Sequence, residues 1–87
     1  MPQVPTTLDD WPQLRPGVWQ IRLPGSRLYQ IETTPEGFRC MISHIQSSWI
    51  GPQGRPSGWG QPPYFATGQE AVDAAVAHFA QSTGRAP

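Results

Sequence analysis

Lysine is absent from this chain of 87 residues, and all six cations are arginine. Six acids balance them, so the formal net charge is +0. A neutral chain carries no overall electrostatic footprint for nucleic acid. Arginine-only usage suits planar, bidentate recognition, although a GC-biased gene gives the same composition. Cysteine is nearly absent too. Cys40 stands alone, which excludes an internal disulfide framework and a thiolate metal cage. No apolar run approaches the roughly 20 residues of a membrane span. The first residues, Met1-Pro2-Gln3-Val4-Pro5, lack the basic and apolar regions of a signal peptide. A soluble, cytoplasmic protein is expected, with no membrane partner. Hydrophobic residues make up only 37% of the chain, while 11 prolines and 9 glycines are many for its length. One domain is expected, near the size at which a single core suffices.

What is present is aromatic: four Trp, three Phe and two Tyr, each able to bury a large apolar area. Prolines at 2, 5, 12 and 16 mark residues 1–16 as an extended arm. Leu8, Trp11 and Leu14 are spaced there to dock on one side, with one helical turn after Thr6 or Thr7; the alternative is an arm disordered up to Trp11. Residues 17–23 set Trp19, Ile21 and Leu23 against Val18, Gln20 and Arg22, the alternation of a half-buried strand. Pro24-Gly25-Ser26-Arg27 reads as a turn. A second strand follows over 28–33 and a third over 38–45. Between them, Thr34-Pro35-Glu36-Gly37 suits a type I turn.

The faces select a register. Pairing Thr33 with Phe38 sets Ile31 opposite Cys40 and Tyr29 opposite Ile42 on one face. Glu32 then lies opposite Arg39, and Gln30 opposite Met41, on the other. A slip of one residue mixes charged and apolar positions on both faces. Extended to the first strand, this register puts Ile21 beside Ile31 and Leu23 beside Tyr29. After Pro62-Pro63-Tyr64-Phe65, Thr67 and Glu70 have capping-box spacing, so a helix begins at Gly68. Val72, Ala75, Val76 and Phe79 form its apolar stripe, with Gln69, Asp73 and Ala77 outward and Gly84 as its C′ residue. The expected fold is α+β: an antiparallel meander of three strands, or of four if 64–66 joins them, packed against one C-terminal α-helix. Residues 17–83 form this domain and 84–87 a tail.

Catalytic chemistry finds little support. Cys40 and His44 share a strand face but stand about 13 Å apart at 3.3 Å per residue, too far to chelate one ion. His78 can approach from the helix, yet no third ligand joins them. Glu32 and Glu36 flank a turn, Asp9 and Asp10 adjoin in the arm, and no cleft gathers them. No nucleophile elbow or phosphate loop is present. A non-enzymatic protein without metal, cofactor or small-molecule substrate is expected.

Two binding readings follow. Residues 46–63 form a long connection punctuated by glycine and proline, and connections beyond about 12–15 residues are usually functional or disordered. With Tyr64 beyond it, this one offers Trp49, Arg55 and Trp59, residue types enriched in protein interfaces. The alternative is that the tryptophans fold back to staple the core. The other reading uses the outer sheet face, with Arg22 and Arg39 joined by Arg15, Arg27 and Arg55 at its edges, since strands can enter the major groove and arginine can read guanine. Three strands followed by a helix that opens Phe65-Ala66-Thr67-Gly68-Gln69-Glu70-Ala71 resemble the ethylene-response-factor type of DNA-binding domain. The arm-binding domains of phage integrases are similar. That resemblance implies that sheet arginines and a tryptophan, here Arg22, Arg39 and Trp19, read DNA. Neutral charge and Glu32 on the reading face weaken phosphate contacts, so a protein partner is favoured. In general profile the chain also resembles phage-encoded inhibitors of bacterial defence systems.

Overall fold

The computed structural model describes residues 4–23, 27–43, 47–58 and 60–83. Five antiparallel strands lie side by side in chain order: β1 (Gln13–Arg15), β2 (Val18–Leu23), β3 (Arg27–Thr34), β4 (Gly37–Ser43) and β5 (Ser47–Ile50). The C-terminal helix α1 (Gly68–Thr83) closes one face of the sheet, and 3-10 turns stand at Leu8–Asp10 and Pro52–Gly54.

The α+β meander is as expected, but the strand number is corrected from three or four to five among the described residues. β1 is three residues long and lies between Pro12 and Pro16, too short for alternation to register. The Gln20 amide ties it down by donating to the Pro12 carbonyl at 3.0 Å. β5 holds two apolar residues and runs straight into Gly51-Pro52, which disguises it as loop. Residues 64–66 supply no full strand. Phe65 instead makes a single two-bond bridge to Phe38, with N–H···O distances of 2.9 and 2.7 Å.

The β3–β4 register matches expectation: Thr33 lies opposite Phe38, Ile31 opposite Cys40 and Tyr29 opposite Ile42. The β2–β3 register does not. Trp19 faces Ile31, Ile21 faces Tyr29 and Leu23 faces Arg27, a displacement of two residues. A two-residue slip leaves every side chain on its original face, so alternation cannot detect it. The observed pairing carries the ladder down to Leu23 and Arg27. The Pro24, Gly25 and Ser26 portion of the expected turn lies outside the described residues, as do Gly84 and the 84–87 tail.

α1 begins at Gly68 through half of the expected box. The Glu70 amide donates to the Thr67 hydroxyl at 3.1 Å, but the Glu70 carboxylate accepts from the Ala66 amide at 3.1 Å rather than from Thr67. Its buried stripe is made of small residues, Ala71, Val72, Ala74 and Ala75, with Val76 and Phe79 half-buried beside them. Small side chains let the helix sit close to the sheet. At Gly68 an added Cβ would stand 2.5 Å from Leu8 Cδ2.

Residues 4–11 complete the core. The helical turn after Thr7 forms as expected, Val4 and Trp11 are buried, and Leu8 packs beside them. Trp11 Nε1–H donates to the Pro5 carbonyl at 2.9 Å, and Gln69 Nε2–H donates to the Thr6 carbonyl at 2.8 Å, which ties this segment to α1. Leu14 departs from expectation. It is 53% exposed, because β1 turns it away from the core.

Candidate functional site

The sheet has two unlike faces. Tyr29, Ile31, Cys40, Ile42 and Ile50 point inward and are buried with α1, Val4 and Trp11. Among the described residues no helix or strand covers the opposite, outer face. Alternation places Gln20 and Arg22 from β2, Leu28, Gln30 and Glu32 from β3, and Arg39 and Met41 from β4 there. Trp49 lies opposite Met41 and so joins them.

A continuous chain of polar contacts crosses this face. Gln20 Nε2–H donates to Gln30 Oε1 at 2.9 Å, and Gln30 Nε2–H donates to Glu32 Oε2 at 3.0 Å. Arg39 directs both Nε and Nη2 at Glu32 Oε1, each at 2.7 Å. The Arg39 guanidinium carbon also lies 4.8 Å from the centre of the Trp49 ring, close enough for cation–π attraction. Trp49 Nε1–H in turn donates to the Gly60 carbonyl at 3.0 Å. Leu28, Met41 and Trp49 are half-buried along this line. At the β1 end, Leu14 with Gln20 and Arg22 lines a shallow hollow of about 300 Å³.

Trp49 owes its position to the segment expected to be an irregular loop. After the Pro52–Gly54 turn the chain runs back beside β5. Gly51 donates to the Arg55 carbonyl at 2.7 Å, Ser57 to the Trp49 carbonyl at 2.8 Å, and Trp49 to the Gly58 carbonyl at 2.8 Å. Ile50 lies opposite Pro56. This return protects the edge of β5 and corrects the reading of 46–63 as one long connection. Trp49 is therefore pinned, but on the open face rather than in the core, so it does not staple the core from within.

The other candidate residues scatter. Arg55 is exposed, in outer-face parity with Ser57 and Trp49. Tyr64, 36% exposed, lines a different hollow of about 490 Å³ with Pro52, Gln53, Phe65, Glu70 and Asp73. Trp59 and His44 lie outside the described residues. Arg22 is exposed on the outer side, and Arg15 is exposed on the edge strand β1, opposite Val18 across a break in register. Arg27 is not on that face: its guanidinium sits 6.0 Å from the Phe79 ring on the helix side. Trp19 turns inward, its ring 6.4 Å from that of Phe38. Sequence reasoning missed that Trp49 and Arg39 share one surface. The signal was the alternation of Ser48 and Ile50 about Trp49, which a strand partner for β4 would have used.

Charge is unevenly distributed. The outer face and its edges hold Arg15, Arg22, Arg39 and Arg55 against one carboxylate, Glu32. Elsewhere among the described residues, Arg27 stands against Asp9, Asp10, Glu70 and Asp73, while Glu36 lies in the turn between β3 and β4.

Burial pushes the Cys40 thiol up to about 12, so the nucleophilic thiolate is disfavoured. His78 Nδ1 lies 2.8 Å from the Tyr29 hydroxyl, and burial, then the Arg27 charge, lower its pKa from the ordinary value. Among the described residues no three His, Cys, Asp or Glu side chains converge as for a metal ion, and no helix is long and apolar enough to cross a membrane. No protein-family model matches the chain, nor does any curated protein or solved structure.

Proposed function

We propose that the protein is a small non-enzymatic binding module, of the inhibitor or adaptor kind, that docks a protein partner on the open face of its sheet. The observation behind this reading is the Arg39–Trp49 pair. Trp and Arg are the residue types that dominate interface energetics. Here the arginine stacks 4.8 Å from the indole, Glu32 holds its guanidinium, and the Gly60 carbonyl fixes the indole N–H. Anchors that are already ordered lose little conformational entropy on binding. Leu28 and Met41 beside them supply apolar area that no described element covers.

A duplex-reading role would use the same face. Its central arginine is already committed to Glu32 at 2.7 Å, and a carboxylate in the middle of the face opposes phosphate. The protein reading is therefore preferred.

The test uses surface variants of the purified protein as bait in a lysate of the source cells. A Met41→Glu change introduces charge at the apolar centre, while Asp73→Arg alters the helix side as a control. A specific partner should be retained by wild type and by Asp73→Arg and lost from Met41→Glu. Equal capture by all three removes the outer face as the interface. Mixed DNA duplexes are run in parallel by electrophoretic shift, where tight, steeply salt-dependent binding would replace the protein reading with nucleic acid.

A further inference from the structure

We infer that the partner presents an acidic surface, carboxylates surrounding a small apolar patch, to the outer sheet face. This inference rests on the binding-module reading above and names the chemistry of its partner. A net charge of +0 conceals a segregation that the fold creates. Four arginines belong to the outer face and its edges, against Glu32 and, in the turn between β3 and β4, Glu36. The acids of the Leu8–Asp10 turn and of α1 belong to the other side of the molecule. Solvent-exposed charges separated by more than a Debye length, about 8 Å at physiological salt, are largely screened from one another. A partner approaching the sheet therefore experiences the arginines, with little cancellation from the acids behind.

Their arrangement separates protein from duplex. Among the described residues no ion pair engages Arg15, Arg22 or Arg55. They flank a half-buried centre of Leu28, Met41 and Trp49. An apolar centre with a charged rim is the anatomy of a protein interface. Duplex binders neutralise about 6–10 phosphates, and three unengaged arginines around a carboxylate fall short of that. Guanidinium groups match carboxylates in bidentate geometry, so a rim made only of arginine selects Asp and Glu on the partner.

The experiment selects binders from a displayed library of random dodecapeptides against the purified full chain, with a mixed-sequence duplex tested separately. The expected outcome is enrichment of peptides rich in Asp and Glu that also carry apolar anchors. Their affinity should fall about tenfold or more on the Arg15→Glu/Arg22→Glu double variant, and stay unchanged on Asp73→Arg. Circular dichroism of each variant confirms that the fold is retained. Enrichment of neutral or basic peptides that still lose binding on Met41→Glu overturns the acidic partner while leaving the docking face intact. Peptides indifferent to Met41→Glu, or no enrichment at all, overturn both. Binding to the duplex with a steep salt dependence, competing with the selected peptides, assigns the face to nucleic acid and also overturns the inference.

Discussion

His78 and Tyr29 meet where the helix crosses the sheet, with 2.8 Å between Nδ1 and the hydroxyl and the two rings edge-on. A neutral imidazole can accept that hydroxyl proton, whereas a protonated one has no lone pair to offer. Desolvation and then the nearby Arg27 charge lower the folded pKa of His78 from its ordinary 6.5. The sign of the linkage follows. Between the lowered folded value and 6.5, the unfolded chain binds a proton that the folded chain refuses. This contribution is fully present above the unfolded pKa and is lost as the pH falls through the folded one. A urea midpoint measured from about pH 7 down to about pH 5 should therefore fall more steeply for wild type than for His78→Asn. Equal slopes in the two proteins would remove His78 as the cause. The inward direction of Tyr29 was legible from strand alternation. Its hydroxyl partner was not, because a contact across 49 residues of sequence depends on where the helix lies over the sheet.

At the level of elements, the Pro52–Gly54 turn packs closely against α1. Gly54 has φ +77°, and an added Cβ would run into the His78 backbone nitrogen and lie 2.9 Å from the Ala74 carbonyl oxygen. Left-handed backbone costs a non-glycine residue about 1–2 kcal/mol, and displacing the helix costs a further 1–3 kcal/mol or so. Gly54→Ala is thus expected to destabilise the protein by about 2–5 kcal/mol in urea unfolding. Gly60→Ala, whose Cβ would meet nothing within 4 Å, should change little. Comparable losses in the two variants would contradict this account of the turn. The helix itself was readable because Thr67 and Glu70 mark its start and Val72, Ala75, Val76 and Phe79 keep one stripe. β1 and β5 were not, since proline and glycine at their ends hide strands of three and four residues. The β2–β3 register escaped for a different reason: both alignments present identical faces, and only the closure of the hairpin distinguishes them.

Across the whole molecule, the N-terminal segment and the charge pattern show what composition conceals. Zero net charge is visible in the sequence, but the separation of arginines from acids arises only when alternate residues of five strands are gathered on one face. Prolines make residues 1–16 look like an appendage, yet Val4 is 5% exposed and Trp11 3%, and both belong to the single core cluster. Leu8 packs where Gly68 opens space at the helix start, and the Thr6 carbonyl accepts from Gln69. Removing a buried Trp side chain alone typically costs about 3–5 kcal/mol. Domains of this size have about 5–15 kcal/mol in total, with little apolar area in reserve. Deleting residues 1–11 would remove Val4, Leu8 and Trp11 together and open one side of the Ile31–Val72 core to water. The truncated chain is expected to show no cooperative thermal transition, and Trp11→Ala to melt cooperatively but well below wild type. A truncated chain that melts cooperatively at the wild-type midpoint would show that the sheet and helix suffice without this segment.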